Sequence, residues 1–497
     1  MDTRRGNTIL ANYIAVVVYA ALIIFIGLRG MKKTSSYNDF LLGGGSVGPW
    51  MTAFSYGTAY FSAVLFIGFA GKLGWGFGLS ALWIALGNTL IGVLGVWLLL
   101  GNRIKTITHS LNVKTMPEYL EARFNSPFLK GFTALAIFIF FVPYTAAVFM
   151  GLSYLFESTF QISYNWILLF MGLFTGIYLT MGGYKSMAMI DVIFGIIMTI
   201  GVIILLWFNI KRGGGLPNIV SSLKAIEPRL AAPVGPPGIV PLLSVVFLTS
   251  VAPLAMPQLL QKFYAIRDKK AVKIGTIAST VFALLVTGIA YFTGSLTRIF
   301  LSPATSPEAF GEGGAPLFDA LIPELLTTVI PSALTVIILL LILSASMSTL
   351  AALVLISSST VTKDFYHGFI NRQASDSSLT RLGRISSGFF IIISMILTWL
   401  KPAVIVTILS ISWGAIDSVF LGPFIWGMFS KKFGKPGAIS SSILGLGTCM
   451  VLFLSGVPAK FRRQLQRECS YLSYCPFSLC CTGSLSRLNR SELRETI

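Results

Sequence analysis

The chain has 497 residues, 55% of them hydrophobic and only 11% charged, with a mean hydropathy of +0.80 and a net charge of +19. That balance excludes a soluble globular domain and fits about ten or more apolar spans of roughly 20 residues. The two histidines, His109 and His367, sit near no Cys or carboxylate at ligand spacing, which excludes a histidine-based hydrolytic site or metal cluster, and four of the five cysteines (Cys469, Cys475, Cys480, Cys481) crowd into the last stretch without disulfide or zinc spacing.

Hydropathy predicts about twelve spans, at 9–28, 47–71, 75–100, 131–155, 164–183, 187–210, 238–264, 271–298, 326–359, 382–400, 403–429 and 436–456. The first lacks a small-residue cleavage site after it and reads as a retained span. Loops after odd-numbered spans carry 21 Lys and Arg, and the opposite side carries nine. This bias predicts an outside N-terminus and a basic cytoplasmic face against anionic lipid, and it accounts for the net charge without nucleic acid. The segment 114–124 (KTMPEYLEARF) reads as a short amphipathic surface helix opened by Pro117, and 212–237 as a solvent-facing Gly/Pro-rich connection.

The second span, SVGPWMTAFSYGTAYFSAVLFIGFAG, places Gly48, Pro49 and Gly57 beside Ser55, Tyr56, Thr58, Tyr60 and Ser62. Irregular backbone survives at membrane depth only where it is buried in protein or lines a cavity, so this pattern predicts a broken helix with freed carbonyls. A kinked helix packed on its small residues is the alternative. The seventh span, with Pro241, Pro253 and Pro257 around Thr249 and Ser250, is a second interrupted helix. It lies five spans after the first, so spans 2–6 and 7–11 form two halves of opposite topology, the pattern of an inverted-repeat secondary transporter.

In the ninth span (LILSASMSTLAALVLISSST), Ala345, Ser348 and Thr349 fall at i, i+3 and i+4 on one helix face. Their oxygens suit a hard cation if they meet the carbonyls near Thr58–Phe61. The alternative is that these hydroxyls bond back to their own helix and pack it closely. Asp191 and Asp417 are acids within spans, where a charge by default marks function in the bundle interior. Asp191 also fits an interfacial position, and Asp417 has no partner visible in sequence.

These segments resemble the sodium:solute symporter family, whose bacterial members include sodium/proline and sodium/pantothenate symporters. The resemblance runs from about Asn38 to Gly456. It rests on LLGGGSVGPW at 41–50, GTAYFSA at 57–63, FFVPYTAAVFMGLSYLFESTF at 140–160, GGYKSMAMID at 182–191, SASMSTL at 344–350 with KDFY at 363–366, and the stretch from Trp413 to Pro423. It implies an all-α membrane fold of two inverted five-helix repeats working by alternating access. It also implies one sodium held by the carbonyls of Thr58, Phe61 and Ala345 and the hydroxyls of Ser348 and Thr349. Asp191 falls on a position some members use in a second cation path. A solute pocket at Tyr60, Ser62, Val64, Tyr144, Thr249 and Pro253 follows by position. The chain departs from the proline branch at Tyr60, at Gly43–Gly45 and at Thr249 and Pro253, and Ala351 and Ala352 replace the hydroxyls of a second sodium site.

The expectation is one transmembrane domain over 1–456, with repeats at about 47–210 and 238–429, multi-pass in the cell membrane. It imports a small organic solute, an amino acid such as proline or a carboxylate such as pantothenate, with Na+ as coupling ion and no cofactor, enzymatic step or nucleic-acid partner. A non-transporting sensor of the same fold and a proton-coupled symporter using Asp191 are the rival readings. Residues 457–497, basic and Cys-containing, leave the family pattern and read as a frameshifted tail.

Overall fold

The computed structural model describes residues 2–31, 36–331 and 334–455; the tail from 457 lies outside them. The described residues are almost entirely helical, with two isolated β-bridges and no sheet. The main helices are α1 (Asp2–Met31), α2 (Pro49–Tyr60), α3 (Ala70–Phe77), α4 (Pro127–Phe160), α5 (Tyr164–Arg212), α6 (Ile239–Val251), α7 (Pro257–Ala265), α8 (Lys269–Ser295), α9 (Phe318–Val329), α10 (Thr335–Ser359), α11 (Asp376–Leu400), α12 (Ile405–Phe429) and α13 (Lys435–Leu454).

Among the described residues, ten helices are long and apolar enough to cross a membrane, and Tyr164–Ile177 is a shorter apolar stretch. One of the ten, Val64–Leu111, is interrupted at Gly78, and α5 is interrupted at Gly183, both at positive φ. Gly78 lies near the start of the expected span 75–100, and Gly183 is the last residue of the expected span 164–183. The expected span 326–359 is instead divided: α9 ends at Val329 and α10 begins at Thr335. Proline at 331 lacks the amide to continue a helix.

Both expected breaks are present. After α2 the chain is extended at Phe61 (φ −106°, ψ 108°), then resumes as a wide helical turn over Val64–Phe69 leading into α3. After α6 a tight turn at Ala252–Leu254 gives way to extended Met256 (φ −75°, ψ 110°), and Pro257 opens α7 at a position where the amide N–H it lacks would have no partner in the helix. The start of the first broken helix and the end of the second are joined through backbone: the Val47 amide donates to the Ala265 carbonyl at 3.2 Å, and the Arg267 amide to the Val47 carbonyl at 3.0 Å.

The core sits around α10, which packs along α5 and α4 and against α2. Its span is 83% buried, whereas α13 at the rim is 17% buried. Two loops are more ordered than their composition suggests. Residues 212–237 contain a helix, Leu216–Ile226, whose Ile219 and Leu223 bury an i, i+4 apolar pair against Leu230, Phe292 and Leu296. The helix at Met116–Phe124 is not simply solvated: Thr115 caps it, and Met116, Pro117, Tyr119, Leu120 and Phe124 are buried. Its apolar positions are spaced to face the bundle rather than water.

Candidate functional site

The break after Tyr60 strands backbone groups. Carbonyls that would accept from residues four positions on lose their partners, and the Ala63 amide begins a new helix with none. α10 answers both needs. Ser346 Oγ accepts from the Ala63 amide at 2.9 Å while donating to the Ile342 carbonyl. Thr349 Oγ1 lies 3.0 Å from the Ala59 carbonyl, 3.4 Å from that of Thr58 and 3.1 Å from its own Ala345 carbonyl. Ser348 Oγ and Thr58 Oγ1 are 2.8 Å apart. All these side chains are buried.

A threonine hydroxyl has one proton. Three carbonyl oxygens converge on Thr349, so at most one receives that proton at full strength. The cluster is therefore rich in acceptors and poor in donors, the electrostatic character of a cation cradle. Of the residues expected at a sodium site, the structure brings together Thr58, Ala345, Ser348 and Thr349. Phe61 is the next turn along: its amide bonds the Gly57 carbonyl and its ring stacks on Tyr60 at 4.4 Å between centroids. Ser346 and Ala59 were not singled out in sequence. The i, i+3, i+4 face did not include Ser346, because its role is set by where the neighbouring chain breaks rather than by its own helix.

Beside this cluster lies a small cavity. Five of the six expected pocket residues, Tyr60, Ser62, Val64, Tyr144 and Thr249, line it. Pro253 does not, because the tight turn at Ala252–Leu254 carries it toward Gly92. Tyr60 donates to the Thr249 carbonyl at 2.5 Å, joining the two broken helices across the cavity. Asn88, Tyr291 and Trp413 complete the polar and aromatic wall. Trp413 packs edge-on to Tyr144 at 5.9 Å. Asn88, turned so that its amide nitrogen faces acceptors, donates to Thr249 Oγ1 at 2.8 Å. Sequence pattern offered no signal for Asn88 or Tyr291, whose spans read as ordinary apolar helices. No lysine, arginine or carboxylate lines this cavity among the described residues.

Asp191 is fully buried rather than interfacial. Ser55 donates to its Oδ2 at 2.5 Å, and Lys262 Nζ lies 3.9 Å from the same oxygen, an ion pair rather than a hydrogen bond. Lys262 was counted among the cytoplasmic loop charges from sequence. It is instead completely buried on α7, with its ammonium over the Tyr184 ring at 5.1 Å. Its charge is compensated by Asp191, which explains how it survives inside the bundle.

The sodium:solute symporter family model matches residues 40–445. The osmoregulated proline transporter OpuE of Bacillus subtilis is 28% identical over 458 residues, covering 89% of each chain. The sodium/pantothenate symporter of Escherichia coli is 30% identical over 446 residues, covering 86% of this chain and 88% of its own. Among solved structures, a substrate-bound, outward-open Na+-coupled sialic acid symporter superposes with a TM-score of 0.76 at 18% identity, over 88% of this chain and 91% of that one. The last likeness shows the inverted-repeat transporter fold. The chain belongs to the sodium:solute symporter family, and its work is symport across a membrane.

Proposed function

We propose that the protein imports a small organic solute with one sodium ion, held by the carbonyls of Thr58, Phe61 and Ala345 and the hydroxyls of Ser348 and Thr349. The observation that carries this reading is the convergence of Thr58, Ala59 and Ala345 carbonyls on the single hydroxyl of Thr349 at a helix break. Sodium there bridges α10 to the broken α2, and so favours the state in which the adjoining cavity admits solute from outside. Linkage then requires bound solute to raise sodium affinity by the same factor.

The solute sits among Tyr60, Ser62, Val64, Tyr144 and Thr249, with Asn88, Tyr291 and Trp413 opposite and Pro253 behind the wall. The pocket is bounded by both broken helices and an aromatic wall, a setting in which a small solute is held. Its uncharged lining suits an amino acid such as proline, or a carboxylate such as pantothenate whose charge is met by the nearby sodium and backbone amides; relatives named for both solutes support that class. A second cation path would pass Asp191, where it would compete with the Lys262 ammonium. The two inverted repeats are residues 47–210 and 238–429 of one domain, with twelve crossings, an outside N-terminus and a cytoplasmic basic face in the cell membrane.

The test is uptake into proteoliposomes by Ser348→Ala with Thr349→Ala. The sodium concentration for half-maximal uptake should rise about tenfold or more, the equivalent of about 1.4 kcal/mol lost from sodium binding. An unchanged sodium dependence in a well-expressed double variant removes the site.

A further inference from the structure

Asp417 takes no part in the site above. It is the midpoint of the 25-residue α12, about 18 Å along the helix axis from either end. The residue is 6% exposed, and its Oδ1 has no hydrogen-bond partner among the described residues. Every ion pair found among them lies elsewhere. The side chain faces a second, small pocket between α12 and the outer half of the second broken helix. Phe247, Leu248 and Val251 of α6 form one wall, Ser418 and Leu421 of α12 the other.

The surroundings decide what such a carboxyl binds. From α6 and the turn after it come only apolar side chains. From α13, Cys449 packs on Leu248. From α4, Tyr144 reaches Trp413, one turn before Asp417. From α2, the Tyr60 ring lies 6.3 Å from that of Trp413, and its hydroxyl is committed to the Thr249 carbonyl. The nearest cation held by α12 is Arg123, which bonds the Gly427 and Ser430 carbonyls at the far end of the helix. A bare carboxylate in such a place is costly. A metal cation needs several oxygen ligands, and Asp417 and Ser418 are the only polar side chains in the wall among the described residues. A proton needs no further ligands.

We propose that Asp417 is a proton-binding site, and that loading it sets how the outer half of the second broken helix packs on α12. Val251 and Ala252, where that helix unwinds, line the same cavity as Asp417. One turn away on α12, Trp413 lines the solute cavity. Proton loading therefore acts between the second broken helix and the solute wall, at a distance from the cluster around Thr349. The consequence for uptake rests on the symporter reading, but the site itself does not.

The experiment has two arms on the full chain in vesicles of phosphatidylcholine and phosphatidylglycerol. In the first, dicyclohexylcarbodiimide, which couples to protonated carboxyls in apolar surroundings, is followed by peptide mass spectrometry. Asp417 should be labelled at about pH 6, less at alkaline pH, equally with and without sodium, and the label should vanish in D417N and persist in D417E. No label on the Asp417 peptide at any pH overturns the proposal, as does protection by sodium, which would make it a metal site. In the second arm, uptake at saturating sodium should change about threefold or more between about pH 6 and pH 8 in the wild type, and D417N should flatten that profile while keeping its sodium dependence. A D417N profile matching the wild type overturns the coupling. Labelling without uptake of any solute would instead count against the symporter reading and leave the proton site standing.

Discussion

Thr349 shows how much one hydroxyl can organise. It stands where the broken α2 would otherwise leave carbonyls bare, and the number of acceptors around it exceeds what its proton can serve. Asp319, on α9 outside the spans, makes a contrasting use of a buried polar group. Its Oδ2 accepts from the Ile405 amide at 3.1 Å, pinning the start of α12. Burial pushes its carboxyl up to about 6 from an ordinary 3.8, opposed by the Ile405 amide and the Lys72 charge. An acid whose folded value is raised loses stability as pH rises from its unfolded value to its folded one, and is level above that. The wild type should therefore lose thermal stability between about pH 4 and pH 6 relative to Asp319→Asn, which keeps the accepting oxygen but does not titrate. Parallel melting profiles of the two proteins through that window would remove this assignment.

At the scale of elements, glycine decides how closely helices approach. A Cβ at Gly294 of α8 would lie 2.0 Å from the Ala70 carbonyl oxygen, and one at Gly74 of α3 would lie 2.1 Å from the Gly294 carbonyl carbon. α3 and α8 thus meet backbone to backbone, the small-residue packing that membrane helices favour. Gly294→Ala should lower stability by about 1–3 kcal/mol through overpacking. Gly288→Ala, on the same helix with nothing within 4 Å, is the control and should melt like the wild type. The two broken helices were legible in sequence because proline, glycine and hydroxyl residues at membrane depth have few explanations. Ser346, Asn88 and Lys262 were not, because their roles depend on a neighbour hundreds of residues or several helices away. The helix at Leu216–Ile226 was hidden by the glycines and prolines around it, although Ile219 and Leu223 carried its period.

For the whole molecule, the same physics makes binding visible as stability. A ligand that binds only the folded protein stabilises it by mass action, by about 2.7 kcal/mol at a hundred times its dissociation constant. Sodium, but not potassium, should raise the melting temperature, and a transported solute should raise it further when sodium is present. Proline, pantothenate and sugar acids form the first panel. Additive shifts from solute and sodium, with neither changing the other's affinity, would contradict the shared site. The broken α2 is the element both ligands would touch, since its Thr58 carbonyl faces Thr349 and its Tyr60 lines the solute cavity, so its contacts carry their coupling across the bundle.

The bridge between Val47 and Ile266 has a mechanical meaning. Two backbone hydrogen bonds fasten the head of one interrupted helix to the foot of the other. These bonds tie the two pieces so that they should move together as a single rocker arm in a transport stroke. The fastening contains no side chain, so it is insensitive to most substitutions around it; a proline at 47 or at 267 would delete one of its two donors.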